Sequence, residues 1–395
     1  MIVGKKHARC EDDMEEEDEE ALYMVLAAYT DHLSRSTAAL NCFQVNVEAV
    51  IRAYVLFRGG FNEIQVFEVP SVTFNPDSVC PKTYTHEFRF TRAQLERIVF
   101  ALIQLGVSPV IRTRARDKCT LFTALCMMCM KYAWPTRLGS MVKMFGTSMS
   151  RMSRIIGDLR RILFTMFAPA LASPPPLSFG DLQRFAGSIA VKSGASNIFG
   201  FIDATVRPIP KPTYLQSAVY NGKDKVHAIK YQALVTPDGM LHQLAGPWPG
   251  SRHDMHMLHK SKLRDYVAGL PSRPDGTSFV VYADQGYAQS PEVETPFFDG
   301  ATNAFHEAIN QAMASSRIAV EWAFGDIVQL WASLDMKRTQ QLLSQRKVAQ
   351  VYLVAGLLSN FMNCFHPNKG SQYFRVAPPT FEEYIAVLKA RSQNL

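Results

Sequence analysis

The sequence predicts an α+β or α/β protein in which a helical N-terminal region precedes a mixed sheet covered by helices. Three observations predict this class. Apolar residues recur at three- and four-residue spacing through much of residues 21–167, which is typical of amphipathic helices. After residue 197, runs rich in β-branched and aromatic residues alternate with helical segments, which favours a sheet with helices packed on it. Hydrophobic residues make up 47% of the 395 residues, a share that excludes wholesale disorder.

The chain begins with an acidic segment. Residues 11–20 read EDDMEEEDEE, and residues 1–20 contain nine acidic and three basic residues in a chain of formal net charge +7. We predict that residues 1–20 form a disordered acidic arm, and the remaining residues then carry a formal +13. A basic body is typical of a nucleic-acid binder, and equally of a mildly basic enzyme with a solubilising tail.

Helices are predicted through residues 21–167, the N-terminal helical domain. EALYMVLAAYTDHL and VNVEAVIRAYVLF read as two helices, and Gly59-Gly60 ends the second. Thr91 is placed to cap a later helix that stops at Gly106, and DKCTLFTALCMMCMKYA reads as the next one. Its Cys126 and Cys129 form a CxxC without a second ligand pair, so we predict a buried helix face and not a zinc site.

Residues 137–163 have a helix-turn-helix pattern. A first helix over about 137–145 is followed by Gly146-Thr147-Ser148, and a second helix begins under the hydroxyl of Ser148. Its exposed face would carry Arg151, Arg154 and Arg161, which are candidates for contact with DNA. The alternative is an ordinary helical hairpin with a solvated basic face. Residues 168–177 contain four prolines and are predicted to be an interdomain linker.

The second domain is predicted over residues 178–366, with 367–395 as a C-terminal tail. A short helix at about 178–190 precedes a strand at NIFGFIDATVRPI. The runs VHAIKYQALVT and MLHQLAGPW form the second and third strands around a Pro-Asp-Gly turn. HDMHMLHKSKLRDYVAGL reads as helical and SFVVYADQGY as a buried fourth strand. Helices at about 307–331 and 340–365 complete the domain.

Four carboxylates stand at the ends of these elements. Asp203 and Asp284 end the first and fourth strands, Asp254 opens the helix after the third strand, and Glu321 lies within a helix. Carboxylate oxygens suit Mg²⁺, and acids from separate elements can hold the ions that drive phosphodiester cleavage. The alternative is that each Asp caps a helix or forms a turn. A second alternative is a metal site at His253, His256 and His259, for which no acidic or cysteine partner other than Asp254 is nearby.

These residues resemble a known family. Five segments occur in an order and spacing that resemble the PIF/Harbinger family of DDE transposases and its domesticated nuclease relatives. They are FIDATVRPI, YNGK with HAIKYQALVTPDG, GPWPGSRHDMHML, YADQGY and VEWAFG. The segment AWPTRLGSMVKMFGTSMSRMSRII resembles the helical region that precedes the family's catalytic core. The resemblance covers about half of the chain and none of residues 1–85. Ala204, where the family usually has Gly, and Ser251, in an often basic position, depart from it.

The resemblance implies an RNase H-like catalytic domain that cleaves DNA with a divalent metal, Mg²⁺ or Mn²⁺. It places the metal ligands at Asp203, Asp254, Asp284 and Glu321, with Asp203, Asp284 and Glu321 as the catalytic triad. Strand order favours Asp284 over Asp254 as the central acid, and the choice stays open. Lys230 and Arg252 are candidates for phosphate contact, with a solvated surface role as the alternative.

The leading function is a DNA endonuclease or transposase that uses in-line attack by metal-activated water, followed by strand transfer from the freed 3′ hydroxyl. The alternatives are a domesticated transposase that binds DNA or chromatin without cleavage, and a phosphohydrolase that acts on small substrates. The expected partners are duplex DNA and, by resemblance, a Myb-like accessory protein that helps the chain reach the nucleus. We expect no membrane association, and the sequence leaves open a homo-oligomer, the DNA target and present-day activity.

Overall fold

Helices form the first part of the structure, a computed structural model that describes residues 73–298, 303–335 and 348–392. The acidic arm and the first two predicted helices lie outside the described residues. In the described part of the chain, the helices α1 to α6 precede the main sheet: Pro81–Phe88, Arg92–Gln104, Leu121–Ala133, Leu138–Phe145, Met149–Ala172 and Phe179–Ser193.

The predicted cap at Thr91 is confirmed. Its hydroxyl accepts a hydrogen bond from the backbone N–H of Gln94, whose side chain accepts one from the backbone N–H of Thr91, so α2 begins with a capping box. Helix α3 begins later than the sequence predicts because residues 118–120 form a strand. This strand, β2 (Lys118–Thr120), pairs antiparallel with β1 (Val110–Arg112). Both cysteines of the CxxC are fully buried in α3, as predicted.

Helices α4 and α5 lie on either side of the predicted turn. Gly146 ends α4 with φ of 56°, in the left-handed region that glycine adopts without steric cost. Ser148 then caps α5 by accepting a hydrogen bond from the backbone N–H of Arg151.

The predicted linker at 168–177 is wrong as a boundary between separate domains. Helix α5 continues through Pro169 to Ala172, and residues from Val69 onward form one compact unit. Phe167, Ala170 and Leu171 are buried, and α5 packs against the sheet and the C-terminal helices. Burial of this apolar face stabilises α5 up to Ala172, although the prolines of residues 168–177 predict that the helix ends before them.

The mixed sheet contains the four predicted strands. They are β3 (Ile198–Pro208), β5 (Val226–Val235), β6 (Leu241–Pro249) and β7 (Val280–Tyr282). Strand β5 lies between β6 and β3, antiparallel to both, whereas β7 is parallel to β3. The sequence missed two short edge strands, β4 (Tyr220–Asn221) and β8 (Val293–Glu294).

This order, three antiparallel strands followed by parallel strands and flanked by helices, is an RNase H-like α+β fold. The remaining helices, α7 to α13, are Gln216–Val219, Asp254–Lys260, Leu263–Ala268, Ala304–Leu330, Val348–Phe365, Lys369–Phe374 and Phe381–Ser392. Helices α6 and α10 pack against β3, and α5 and α11 pack against β6. The apolar side chains between these layers form a continuous core.

The predicted C-terminal tail is wrong as well. Residues 369–374 and 381–392 are helical, and Phe374, Phe381 and Leu388 lie in the core. Arg97 on α2 forms an ion pair with Glu382 on α13 at 2.6 Å. The segment therefore belongs to the folded unit, because its apolar positions cover surface that earlier helices leave exposed.

Helix α11 is long and apolar enough to cross a membrane by length and composition alone. Two thirds of it (67%) is buried inside the described fold, where Trp331 donates a hydrogen bond to its Ser359. Such burial is typical of the core helix of a soluble protein.

A partly buried histidine joins the sheet to the proline-rich segment. His242 on β6 has its Nε2 at 3.2 Å from both the carbonyl oxygen of Pro175 and the hydroxyl of Tyr266. Tyr266 also donates a hydrogen bond to the Pro175 carbonyl. Burial lowers the pKa of His242 to about 4, despite the hydrogen bond to Pro175.

We expect the protein to lose stability between pH 6.5 and 4 because of His242. The unfolded chain takes up this proton near pH 6.5, whereas the folded protein resists it until about pH 4. The loss is up to about 3 kcal/mol, since one pKa unit corresponds to about 1.4 kcal/mol. Urea unfolding of the wild type and of His242→Gln at pH 7 and pH 4.5 measures it. The variant should lose less stability, whereas His259→Gln, at an exposed histidine, should behave as the wild type.

Candidate active site

Two of the predicted carboxylates lie close together at the paired strands β3 and β7. Phe201 of β3 pairs with Tyr282 of β7. Asp203 follows two residues later within β3, and Asp284 lies two residues beyond the end of β7. The negative charge of Asp284 acts on the Asp203 carboxyl, so the two groups are neighbours. Asp203 accepts a hydrogen bond from the backbone N–H of Ala204 at 2.7 Å, and Asp284 accepts one from that of Gly286 at 2.9 Å.

Glu321 reaches this edge from α10 through an arginine. Arg317 lies one helical turn before Glu321, and α10 packs against β3. The Arg317 Nη1 is 2.8 Å from the Asp203 Oδ2, and its Nη2 is 3.1 Å from the Glu321 Oε1. The guanidinium therefore joins a largely buried aspartate (18% of the side chain exposed) to a half-exposed glutamate (54%).

Asp254 approaches from the other side, at the start of α8. Its Oδ1 is 3.4 Å from the Nζ of Lys230, which also donates to the backbone carbonyl of Arg252 at 2.7 Å. A Cβ atom added to Gly286 would lie 2.9 Å from the Asp254 Oδ2 and 3.0 Å from the Asp284 Oδ1. Because both carboxylate oxygens flank the same point, Asp254 and Asp284 are neighbours across Gly286.

The electrostatics of Asp203 reflect this crowding. Burial raises the pKa of the Asp203 carboxyl to about 6, and the negative charge of Asp284 acts in the same direction. The N–H of Ala204 and the guanidinium of Arg317 act against that rise. The charged form of Asp203 is therefore unfavourable at neutral pH, and further positive charge beside it would stabilise that form.

A buried tyrosine completes the cluster. The hydroxyl of Tyr287 is buried and has no hydrogen-bond partner among the described residues. Burial raises the pKa of Tyr287, and the negative charges of Asp254, Asp203 and Asp284 raise it further. All three aspartates are therefore close enough to act on one hydroxyl, which identifies a common centre for the site.

The donor chemistry of this cluster fits a divalent metal. Asp203, Asp254 and Asp284, with Glu321 joined to Asp203 through Arg317, supply the hard oxygen ligands that Mg²⁺ and Mn²⁺ prefer, and burial that raises the pKa of Asp203 makes positive charge beside it favourable. Within residues 73–298, 303–335 and 348–392, no three such side chains are already arranged to hold an ion. Arg317 and Lys230 instead contact three of the four carboxylates.

Of the other predicted site residues, Lys230 contacts this cluster, whereas the arginines of α5 have partners elsewhere. Lys230 has only 11% of its side chain exposed and contacts Asp254, so its geometry is that of a positioning residue. Arg154 and Arg161 pair with Asp117 and Asp158. Arg151 donates a hydrogen bond to the backbone carbonyl of Lys118. In the described part of the chain, no metal-binding group includes His253, His256 or His259.

Sequence reasoning missed Arg317, Gly286 and Tyr287. The four-residue spacing of Arg317 and Glu321 on a predicted helix is a signal that would have found the arginine. Gly286 and Tyr287 belong to the motif YADQGY, in which only the aspartate was predicted to be a site residue. Their contribution depends on how Asp254 meets Asp284, which no local pattern encodes.

Residues 202–360 match the family of DDE superfamily endonucleases. This segment contains Asp203, Asp254, Asp284 and Glu321, together with Arg317. The match supports a DDE transposase-type nuclease domain with a metal-dependent, nuclease- or transposase-like function, for which DNA is the implied substrate. No curated protein and no solved structure matches the chain.

Proposed function

We propose that this chain is a Harbinger-type DNA endonuclease or transposase that cleaves phosphodiester bonds with a divalent metal. The observation that carries the proposal is that Asp203, Asp254 and Asp284 lie near the Tyr287 hydroxyl beside an RNase H-like sheet, with Glu321 joined to Asp203 through Arg317. The family match over residues 202–360 supports it. The resemblance of the sequence motifs supports the Harbinger subtype.

Each residue then has a distinct task. Asp203, Asp284 and Glu321 would hold the metal, and Asp254 would join them as a fourth ligand or as a support that Lys230 keeps in place. When bound, Mg²⁺ or Mn²⁺ activates the attacking water and stabilises the leaving oxygen. Cleavage leaves a 3′ hydroxyl, whose oxygen could attack a phosphorus of a second DNA strand and form a new phosphodiester bond while the bond from that phosphorus to the second strand's own 3′ oxygen breaks.

A direct test is nicking of supercoiled plasmid by the full chain in Mn²⁺ or Mg²⁺. We expect nicking in the wild type and its loss in Asp284→Asn and Glu321→Gln. Glu307→Gln is the matched control, because Glu307 is an exposed acid on the same helix as Glu321. Nicking that persists in both site variants, or is absent from the wild type, contradicts the proposal.

A second candidate is a domesticated transposase that binds DNA or chromatin without cutting it. The contacts of Arg317 and Lys230 with the carboxylates favour it, because these cations already neutralise part of the site. Sequence-specific DNA binding in EDTA, with no cleavage at any Mn²⁺ concentration, would favour this candidate over the nuclease.

We further propose that the protein acts in the nucleus with a Myb-like partner. A fluorescent fusion of the full chain, expressed alone and with candidate Myb-like proteins, tests this part of the proposal. Nuclear accumulation that depends on the partner is the expected result. Accumulation without any partner contradicts the dependence, and exclusion in both cases contradicts the location.

We expect Gly286→Ala to reduce nicking by about 10- to 100-fold, because misplacement of reacting groups by about 1 Å can cost that much. The new methyl group would lie 2.9 and 3.0 Å from the Asp254 and Asp284 oxygens and would push both carboxylates apart. Gly222→Ala is the matched control, since Gly222 has no atom within 4 Å of the added methyl. Equal nicking by the two variants would show that the spacing of Asp254 and Asp284 is unimportant.

A further inference from the structure

A basic patch lies where the β1–β2 hairpin meets the start of α5. We call it the hairpin patch. Its members are exposed or partly exposed cations: Arg112, Arg114, Arg116, Lys118, Arg151 and Arg154. Arg112 and Lys118 are cross-strand partners, so their side chains leave the same face of the hairpin. Arg114 and Arg116 lie in the turn. Four cations are therefore carried by seven consecutive residues.

One carboxylate fixes this hairpin. Asp117 accepts hydrogen bonds from the Thr113 hydroxyl at 2.7 Å and from the Arg154 Nε and Nη2 at 2.7 and 3.2 Å. The hydrogen bonds of Arg154 and Thr113 hold the pKa of Asp117 below its usual range. Only 13% of the Asp117 side chain is exposed. The one acid of the hairpin patch is thus saturated by internal donors and points away from solvent.

The outer cations have no such partner. Within the described residues, the side chains of Arg112, Arg114, Arg116 and Lys118 form no hydrogen bond or ion pair with a carboxylate, and all four residues are exposed. Like charges held this close repel one another unless an anion lies between them. The backbone pairing of β1 with β2, the contacts of Asp117 and the hydrogen bond from Arg151 to the Lys118 carbonyl at 2.8 Å hold the hairpin that carries them.

We propose that the hairpin patch binds the phosphate backbone of duplex DNA and anchors it without reading its sequence. Guanidinium groups match phosphate oxygens in a bidentate geometry, and three of the four outer cations are arginines. A closely spaced array of cations fits the dense charge of a duplex, which carries one phosphate for about every 1.7 Å of its axis. The proposal rests on the proposed function in taking DNA as the substrate.

This anchoring assigns different tasks to the arginines of α5. Arg154 clamps Asp117 and so holds the hairpin in place, and Arg151 supports it through the Lys118 carbonyl. The outer cations contact phosphate. The predicted helix-turn-helix therefore acts together with the hairpin that precedes it in the chain.

The test measures binding of the full chain to a random-sequence 30-base-pair duplex in EDTA, at several KCl concentrations, by fluorescence anisotropy. The variant combines Arg112→Gln, Arg114→Gln and Arg116→Gln. We expect affinity to fall at least about 10-fold at 0.1 M KCl. The slope of log Kd against log salt should drop by about 2 to 3, because each lost phosphate contact removes about 0.9 from it.

The matched control removes three exposed charges elsewhere, by Lys82→Gln, Lys223→Gln and Lys262→Gln. We expect it to retain most of the affinity and the slope. Equal losses in both variants would mean that net charge alone governs binding, which overturns the proposal. Circular dichroism checks folding. If the triple variant fails to fold, Arg114→Gln with Arg116→Asn in the turn replaces it, and unchanged DNA affinity in that variant overturns the proposal.

Further outcomes distinguish DNA binding by the hairpin patch from binding of an acidic peptide and from the proposed nuclease activity. A synthetic EDDMEEEDEE peptide is the second probe. If the triple arginine variant loses peptide binding but keeps its DNA binding, the hairpin patch binds an acidic peptide and the proposal is overturned. Absence of duplex binding in the wild type also overturns it. A wild type that binds through the hairpin patch but never nicks DNA in Mn²⁺ supports this proposal and contradicts the nuclease.

Discussion

Replacing Asp203 by Asn should abolish nicking and, without metal, make the protein more stable. Loss of residues that only support metal ligands costs about 10- to 100-fold in activity, so loss of a ligand should cost at least about 10²-fold. The gain in stability follows from burial, which raises the pKa of Asp203 to about 6. Its charge at neutral pH is therefore unfavourable in the folded state, and asparagine removes that charge.

The sign of the pH dependence is fixed by the two pKa values. The unfolded chain releases the Asp203 proton near pH 3.8 and the folded protein near pH 6, so the folded state binds more protons between them. The contribution of Asp203 to the free energy of unfolding is therefore most favourable below pH 3.8, and it becomes less favourable as the pH rises to 6. The penalty above pH 6 is up to about 3 kcal/mol. Urea unfolding in EDTA at pH 7.5 and pH 4.5 should show the advantage of Asp203→Asn mainly at pH 7.5.

Asp265→Asn is the control, since Asp265 is an exposed acid on α9. It should change neither nicking nor stability by a large amount. An Asp203→Asn variant that still nicks DNA would remove Asp203 from the reaction. One that is less stable than the wild type at pH 7.5 would show that the contact with Arg317 outweighs the cost of burial.

The strands and carboxylates of the site were predictable because each is a local signal. A buried strand is a run of apolar residues, and an acid directly after it, as in VVYAD, stands out against that run. Parallel strands place such acids at a common edge. Asp203 and Asp284 could therefore be expected together before any coordinates, and the register of β3 with β7 agrees with that expectation.

Features that depend on distant packing could not be predicted in the same way. Pro169 reads as a break, yet α5 continues because its apolar face is covered by helices from the end of the chain. The hairpin strands β1 and β2 have three residues each, which is too short to show the alternation of apolar and polar residues that predicts a strand. Lys230 reads as a candidate for phosphate contact or as a solvated cation, and only the fold places it beside Asp254.

Replacing Arg317 by Gln should destabilise the metal-free protein by about 1 to 3 kcal/mol at pH 7.5, and a divalent metal should reverse that loss. The guanidinium is the cation that Asp203 and Glu321 share, at 2.8 and 3.1 Å. Without it, the mostly buried Asp203 keeps a charge that nothing offsets. Mg²⁺ or Mn²⁺ binds the folded state and not the unfolded chain, so it should raise stability more in Arg317→Gln than in the wild type.

Thermal unfolding in EDTA and in millimolar Mn²⁺ measures both effects without any reaction. Arg264→Gln is the matched control, because Arg264 pairs with Glu292 at 3.0 Å and has 46% of its side chain exposed, against 22% for Arg317. Solvent screens the more exposed guanidinium, so its loss should cost less than that of Arg317 and should not change the response to metal. If Arg317→Gln responds to Mn²⁺ no more than Arg264→Gln does, then Arg317 does not occupy the place of the metal, and its contact with Asp203 and Glu321 serves the fold alone.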